Sequence, residues 1–267
     1  MSLIAVGAGK DSRGVTTTAL ALAAVWPQTR PVLLAECDPS GGSLAARYGL
    51  STEPGLMTLA SAGRRQLHPQ EVAGHTQVLP GGELEVLLGA VRAEAAHALG
   101  RLWSSLATAL ANLEADVIAD CGRLGPDSPA EPLLQAADLV LLVCEPTREG
   151  VLHLQGRIEA LTAQGVLSAV ILLGEEPYTA EEVRQALAQP TGGGAKVLGV
   201  MARDVDAAAV LAGRPGSTRR LTRSLLIRSS RTLAGEIVSR LPPTEASAVN
   251  GPWAPDPTDQ ATEVRAQ

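Results

Sequence analysis

Three segments of this chain place chemistry-bearing residues at the ends of apolar runs. The first, Leu3–Leu22 (LIAVGAGKDSRGVTTTALAL), passes from a short apolar run through a glycine-containing loop into a Thr-started, Ala/Leu-rich helix. Strand, loop and helix in that order turn successive backbone N–H groups and a helix N-terminus towards an anion, which is the chemistry of phosphate binding. The loop and helix start are Lys10, Asp11, Ser12, Arg13, Gly14, Val15, Thr16 and Thr17. The second segment, Val32–Gly42 (VLLAECDPSGG), ends its apolar run in Glu36-Cys37-Asp38-Pro39. In an extended strand Glu36 and Asp38 share one side, at the carboxyl edge of the sheet. The third, Asp116–Gly122 (DVIADCG), is another apolar run ending in an acid, Asp120.

Apolar runs of strand length recur at Leu3–Val6, Val32–Ala35, Val117–Ala119, Leu139–Val143, Ala169–Leu173 and Val197–Met201. Several are nearly continuous, as expected of strands covered on both faces. Helical patterns lie between them, at Thr16–Val25, Val91–Leu113, Ala130–Ala137, Gly150–Ala163, Ala180–Leu187 and Ala207–Ala212. Gln77–Leu88 reads as a turn at Pro80-Gly81-Gly82 followed by a further strand. This alternation predicts an α/β fold, a doubly wound and mostly parallel sheet flanked by helices, with ligands at the carboxyl ends of the strands. Residues 1–241 are expected to form one domain. From 242 to 267 the chain is rich in proline and acid without apolar periodicity, and a disordered tail is expected there.

Composition narrows the function. The chain has 267 residues, 45% hydrophobic but only 2% aromatic, so its core must be built from Leu, Val and Ala. A net charge of −6 argues against a generally nucleic-acid-binding surface. No run approaches the ~18 apolar residues that span a bilayer, and Met1 leads directly into a strand, so a cytoplasmic location is expected. Cys37, Cys121 and Cys144 are an odd number without C-x-x-C spacing and read as buried thiols. His68, His75, His97 and His153 are scattered. Of 22 Lys and Arg, only Lys10 and Lys196 are lysines, which makes a lysine in the loop conspicuous.

The first segment lines up without a gap on the deviant Walker A motif of the ParA/MinD family of P-loop ATPases, KGGxGKTT, as Lys10 to Thr17. Glu36 and Asp38 resemble the acidic-x-Asp-Pro segment of that family, and Asp120 the end of its Walker B strand. Leu139–Thr147 and Val197–Asp204 resemble its later strands. The resemblance is strongest over residues 1–145 and collinear to about 241. Asp38–Gly42 and Asp120-Cys121-Gly122 look most like the actinobacterial TadZ/CpaE-like branch, associated with pilus assembly and polar placement. The resemblance implies ATP and Mg²⁺ as cofactors, with nucleotide contacts from Lys10 to Thr17. It implies catalytic roles for Glu36, Asp38 and Lys10, and a metal site of Thr16, Asp38 and Asp120. Lys10 matches the signature lysine, which reaches a partner's nucleotide across a face-to-face homodimer. Without nucleotide, Lys10 is expected to pair with a carboxylate such as Asp11 or Asp38.

The departures point to lost hydrolysis. Val15 stands where the family has the Walker lysine, removing the cation beside the β- and γ-phosphates. Asp11 and Ser12 replace glycines, and Arg13 is a candidate substitute cation. The leading expectation is a degenerate scaffold or positioning factor with protein partners in a secretion, pilus or partition system. The alternative is an active ATP-dependent dimer switch. A third reading, an electron-transfer protein similar to nitrogenase iron protein, starts from Cys37, but Cys121 and Cys144 fall on the wrong strands for a shared cluster. Arg214–Leu241 carries seven arginines interleaved with Leu221, Leu225, Ile227, Leu233, Ile237 and Leu241. It reads as a terminal helix with an apolar stripe on the sheet. Arg219, Arg220 and Arg223 could alternatively contact non-specific DNA. MinD-type ATPases carry a basic amphipathic helix at their end, and residues 242–267 do not resemble one, so no membrane anchor is expected.

Overall fold

The computed structural model describes residues 1–63, 66–188 and 195–242. Its strands are β1 (Leu3–Ala8), β2 (Val32–Glu36), β3 (Gln77–Val78), β4 (Glu85–Leu87), β5 (Asp116–Arg123), β6 (Leu139–Cys144), β7 (Ser168–Leu173) and β8 (Lys196–Met201). Its helices are α1 (Val15–Ala23), α2 (Leu44–Tyr48), α3 (Leu56–Ala62), α4 (Pro69–Val72), α5 (Ala93–Ala98), α6 (Leu102–Ala111), α7 (Glu131–Ala136), α8 (Arg148–Ala163), α9 (Ala180–Leu187), α10 (Val205–Leu211), α11 (Thr218–Arg223) and α12 (Leu225–Val238). The proline-rich tail expected over 242–267 lies outside the described residues beyond Pro242.

The strands form one sheet of eight in the order β3-β4-β2-β5-β1-β6-β7-β8. All neighbours are parallel except β3, which pairs antiparallel with β4 across the expected Pro80-Gly81-Gly82 turn. Along β1, Leu3 and Ala5 face one apolar layer while Ile4, Val6 and Ala8 face the other. The period of two thus serves two cores, which is why the strand reads as a continuous apolar run. One layer receives α6, α7, α8 and α9 through Leu106, Leu133, Leu154 and Val183. The opposite layer receives α1, α10 and α12 through Ala19, Ala207 and Leu233. Chain order reverses at β1, which lies between β5 and β6, so the crevice for a ligand opens above β1.

Two expectations are corrected. The helix expected over Val91–Leu113 is two helices, α5 and α6, broken at Gly100, where φ is 50°. The indole N–H of Trp103 donates to the Ala96 carbonyl at 3.0 Å and holds the two together. The helix expected over Arg214–Leu241 is also two, α11 and α12. Ser224 ends the first and caps the second, its Oγ accepting from the Ile227 N–H at 3.2 Å. The register of the stripe shifts with the break. Leu226 is buried and Leu225 is exposed, while Ile227, Leu233, Ile237 and Leu241 pack inward as expected. Among the described residues, no helix is long and apolar enough to cross a membrane.

Candidate phosphate-binding site

The loop after β1 opens α1 at the sheet's switch point. Gly14 caps α1 with φ 74°, and an added Cβ would lie 2.5 Å from Leu173 Cδ1, so backbone and neighbour both require glycine. The Val15 N–H donates to the Ser12 carbonyl at 3.2 Å, and the Thr18 N–H to Gly14 at 2.8 Å, closing the first turn. No side chain caps α1 and its first turn holds no acid, so its N-terminus is left for another acceptor. Val15 is fully buried, packed in the α1-side core with Ile4, Val6 and Ala19. At this position the chain puts a core side chain instead of a cation.

Lys10 is half exposed and its Nζ binds Glu149 Oε2 at 2.9 Å, at the start of α8. Lys10 thus pairs with a carboxylate as expected, but with Glu149 and not with Asp11 or Asp38. Lys10 holds the Glu149 carboxyl below its usual range, first by this hydrogen bond and then by its charge. Asp11 pairs with Arg13 at 3.4 Å, both largely exposed. Arg13 also approaches Glu145 at 4.0 Å, and the other oxygen of Glu145 lies 3.7 Å from Arg203. The loop's two cations therefore both face carboxylates of the same chain. A cleft of about 210 Å³ is lined by Gly9, Lys10, Asp11, Thr147 and Glu149. A second, of about 250 Å³, is lined by Thr17, Met201, Arg203, Asp204 and Leu226. Arg13 and Glu145 border both.

Behind the loop the acids divide by function. Glu36 is almost fully buried. Its Oε1 accepts the N–H groups of Ser43 and of Leu44 (2.9 Å), and its Oε2 accepts that of Gly89 at 3.0 Å. One side chain thus ties β2 to the start of α2 and to the segment after β4. Asp38 accepts the Ser40 N–H at 2.8 Å, an Asx turn before the exposed Ser40. It lies against Gly122, where φ is 59° and a Cβ would fall 2.2 Å from the Asp38 carboxyl. Asp120 pairs in register with Glu36 and is 1% exposed. Its Oδ1 accepts the Gly122 N–H at 3.2 Å, while Oδ2 is buried without a hydrogen-bond partner. Burial raises its pKa to about 6, with Asp38 and Glu36 adding repulsion and the Thr16 hydroxyl and Gly122 amide opposing it. Thr16, Asp38 and Asp120 therefore meet at one edge. Among the described residues, no cluster of three or more His, Cys, Asp or Glu could hold a metal ion on its own.

All three cysteines are free and buried. Burial pushes the Cys37 and Cys121 thiols well up and the Cys144 thiol to about 12, so none is poised for thiolate chemistry. Arg219, Arg220 and Arg223 are exposed on α11, and none forms an ion pair with a described residue. Sequence reasoning missed Glu145, Glu149 and Arg203. Glu145 and Glu149 flank the Pro-Thr turn that starts α8, a helix-start signal that placed the element but gave no hint of its partners across the chain.

No protein-family model matches the chain, and no curated protein matches it. Solved structures do. The cell-division ATPase MinD of Pyrococcus furiosus is 19% identical, with a TM-score of 0.71 over 89% of this chain and 98% of that one. The septum site-determining protein MinD of Pyrococcus horikoshii, in complex with Mg-ADP, is 19% identical, with a TM-score of 0.70 over 88% and 95%. A ParA family ATPase from Chlorobium tepidum is 15% identical, with a TM-score of 0.65 over 87% and 98%. The architecture is thus the ParA/MinD type of P-loop fold, as the sequence implied.

Proposed function

We propose that this chain is a degenerate ParA/MinD-like protein, a scaffold or positioning factor in pilus, secretion or partition assembly, with weak or no ATP hydrolysis. The observation that carries this reading is Val15, sealed in the core where the resembling motif has its phosphate-binding lysine. Stabilising the charge of a transferring phosphoryl group is most of what such a site contributes, and a buried isopropyl group contributes none of it. The self-pairing of the loop supports the same reading. A phosphate must compete with Glu149 for Lys10, and with Asp11 and Glu145 for Arg13. We infer a two-fold homodimer through the P-loop face, with Lys10 and the Glu36–Gly42 segment at or near the contact. Lys10 retains the position whose matched role is intersubunit.

A second reading, an ATP-dependent dimer switch, is favoured by Asp120. Its orphaned Oδ2, beside Asp38 and the Thr16 hydroxyl, fits a hydrated Mg²⁺ shared with nucleotide phosphates. Thr16, Asp38 and Asp120 would hold that ion, and Thr17 and Gly14 would offer the nucleotide their loop and helix-start amides. Calorimetric titration of the full chain with ATP and Mg²⁺ separates the two. The scaffold reading expects at most weak binding, with dimerisation unchanged by ATP. Tight binding coupled to dimerisation would favour the switch.

A further inference from the structure

A cavity of about 460 Å³ lies away from the P-loop, between α2, the β3–β4 turn and the segment joining α10 to α11. We propose that it binds a small amphiphilic anion, with a phosphate or carboxylate head held by Arg47 and Arg214 and an apolar body against Leu20, Leu79, Leu84 and Leu221.

The argument begins with Arg47, in the last turn of α2. Its Nη1 is buried without a hydrogen-bond partner, and no carboxylate of the described residues forms an ion pair with it. A buried guanidinium nitrogen left unpaired is costly, and native structures rarely tolerate one without an acceptor nearby. The backbone around it is fixed, because the Tyr48 hydroxyl donates to the Leu211 carbonyl at 2.9 Å and ties α2 to the end of α10. The unmet donor is therefore built into a braced junction. Arg47 lines the cavity, although Nη1 itself is closed to water, and the cavity has room for far more than one water.

Charge points the same way. In a chain of net charge −6, no Asp or Glu among the described residues lines this cavity, whereas both Arg47 and Arg214 do. The wall continues through Thr218 and Leu221 into α11, where the exposed Arg219, Arg220 and Arg223 add positive potential beside the mouth. A guanidinium pair fits a planar or tetrahedral oxyanion, and the leucine walls exclude a ligand that is charged throughout. The volume lies in the range of small-ligand sites and is too small for a polymer to enter.

The test is calorimetric titration of the full chain with phenyl phosphate, benzoate and inorganic phosphate. Saturable binding of phenyl phosphate or benzoate is expected, about tenfold tighter than inorganic phosphate, which lacks the apolar body. Tighter phenyl phosphate identifies a phosphate head and tighter benzoate a carboxylate head; either supports the proposal. Arg47→Gln should weaken binding by at least about tenfold. The exposed Arg214→Gln, which should fold normally, should weaken it severalfold, and Lys196→Ala should not change it. If neither aromatic anion binds saturably, or if both arginine variants bind like the wild type, the proposal is wrong.

Discussion

Replacing Glu36 with alanine should unfold this protein more readily, whatever it does to activity. One carboxylate accepts three backbone N–H groups, those of Ser43, Leu44 and Gly89. Hydrogen bonds to a charged acceptor are worth about 1.5–3 kcal/mol each, and an amide stranded in a buried site keeps its desolvation cost. Relief from burying the carboxylate, which is 2% exposed, offsets part of that sum. A net loss of about 3 kcal/mol is expected for Glu36→Ala, which for a domain of this size lowers Tm by about 6–12 °C. Glu36→Gln retains one carbonyl oxygen and turns an NH₂ group on the third amide, so it should lose about half as much. Gly42→Ala should act through the same residue, because its Cβ would lie 2.3 Å from Glu36 Oε2. Urea denaturation followed by far-UV circular dichroism should give falling stability in the order wild type, Glu36→Gln, Glu36→Ala, with Gly42→Ala also below the wild type. If Glu36→Ala is as stable as the wild type within about 0.5 kcal/mol, the bracing role assigned to this residue is refuted.

Asp120, raised to about 6, holds its proton more tightly folded than unfolded, so its contribution to stability falls as pH rises from about 4 to 6 and is level above. In metal-free buffer, Asp120→Asn should therefore gain about 3 kcal/mol on the wild type across that window; a pH-independent difference would contradict the assignment. At the opposite edge of the sheet, Asp116 takes Arg30 through both oxygens and also the Trp26 indole and the Ser2 N–H. Asp116→Ala should cost about 3–5 kcal/mol by leaving Arg30 buried without its counter-charge, measurable in the same denaturation assay. Lys10→Ala should weaken the homodimer in sedimentation more than Lys196→Ala does. The Lys10–Glu149 pair is solvent-exposed and contributes little to folding, so a dimer defect would not be a folding defect. Equal behaviour of the two variants would remove Lys10 from the interface.

The inner strands β1, β2, β5, β6 and β7 were legible because each buries both faces, which writes them as near-continuous apolar runs, and the edge strand β8 was legible from its own apolar run. The helices at 44–72 were not. They are short, and their inward residues, such as Leu44, Leu56, Leu59 and Val72, are too few to show a period. Loop residues were placed correctly along the chain, but their partners were hidden. Lys10 and Glu149 are 139 positions apart, and only the adjacency of β1 and β6 brings them together. The resembling motif marked Val15 as a missing charge. That the valine joins the core with Ile4, Val6 and Ala19 is a tertiary packing outcome that the local sequence does not show. The shift from Leu225 to Leu226 followed from the Ser224 cap, a local hydrogen bond that resets the helical phase.

Steady-state ATP hydrolysis by the wild type beside Asp120→Ala tests the central claim most directly. With Val15 in the core, Lys10 paired with Glu149 and Arg13 paired with Asp11 and Glu145, the two proteins should turn over ATP at the same background rate with Mg²⁺ present. Turnover by the wild type well above that background, abolished in Asp120→Ala, would show a working ATPase and contradict the account.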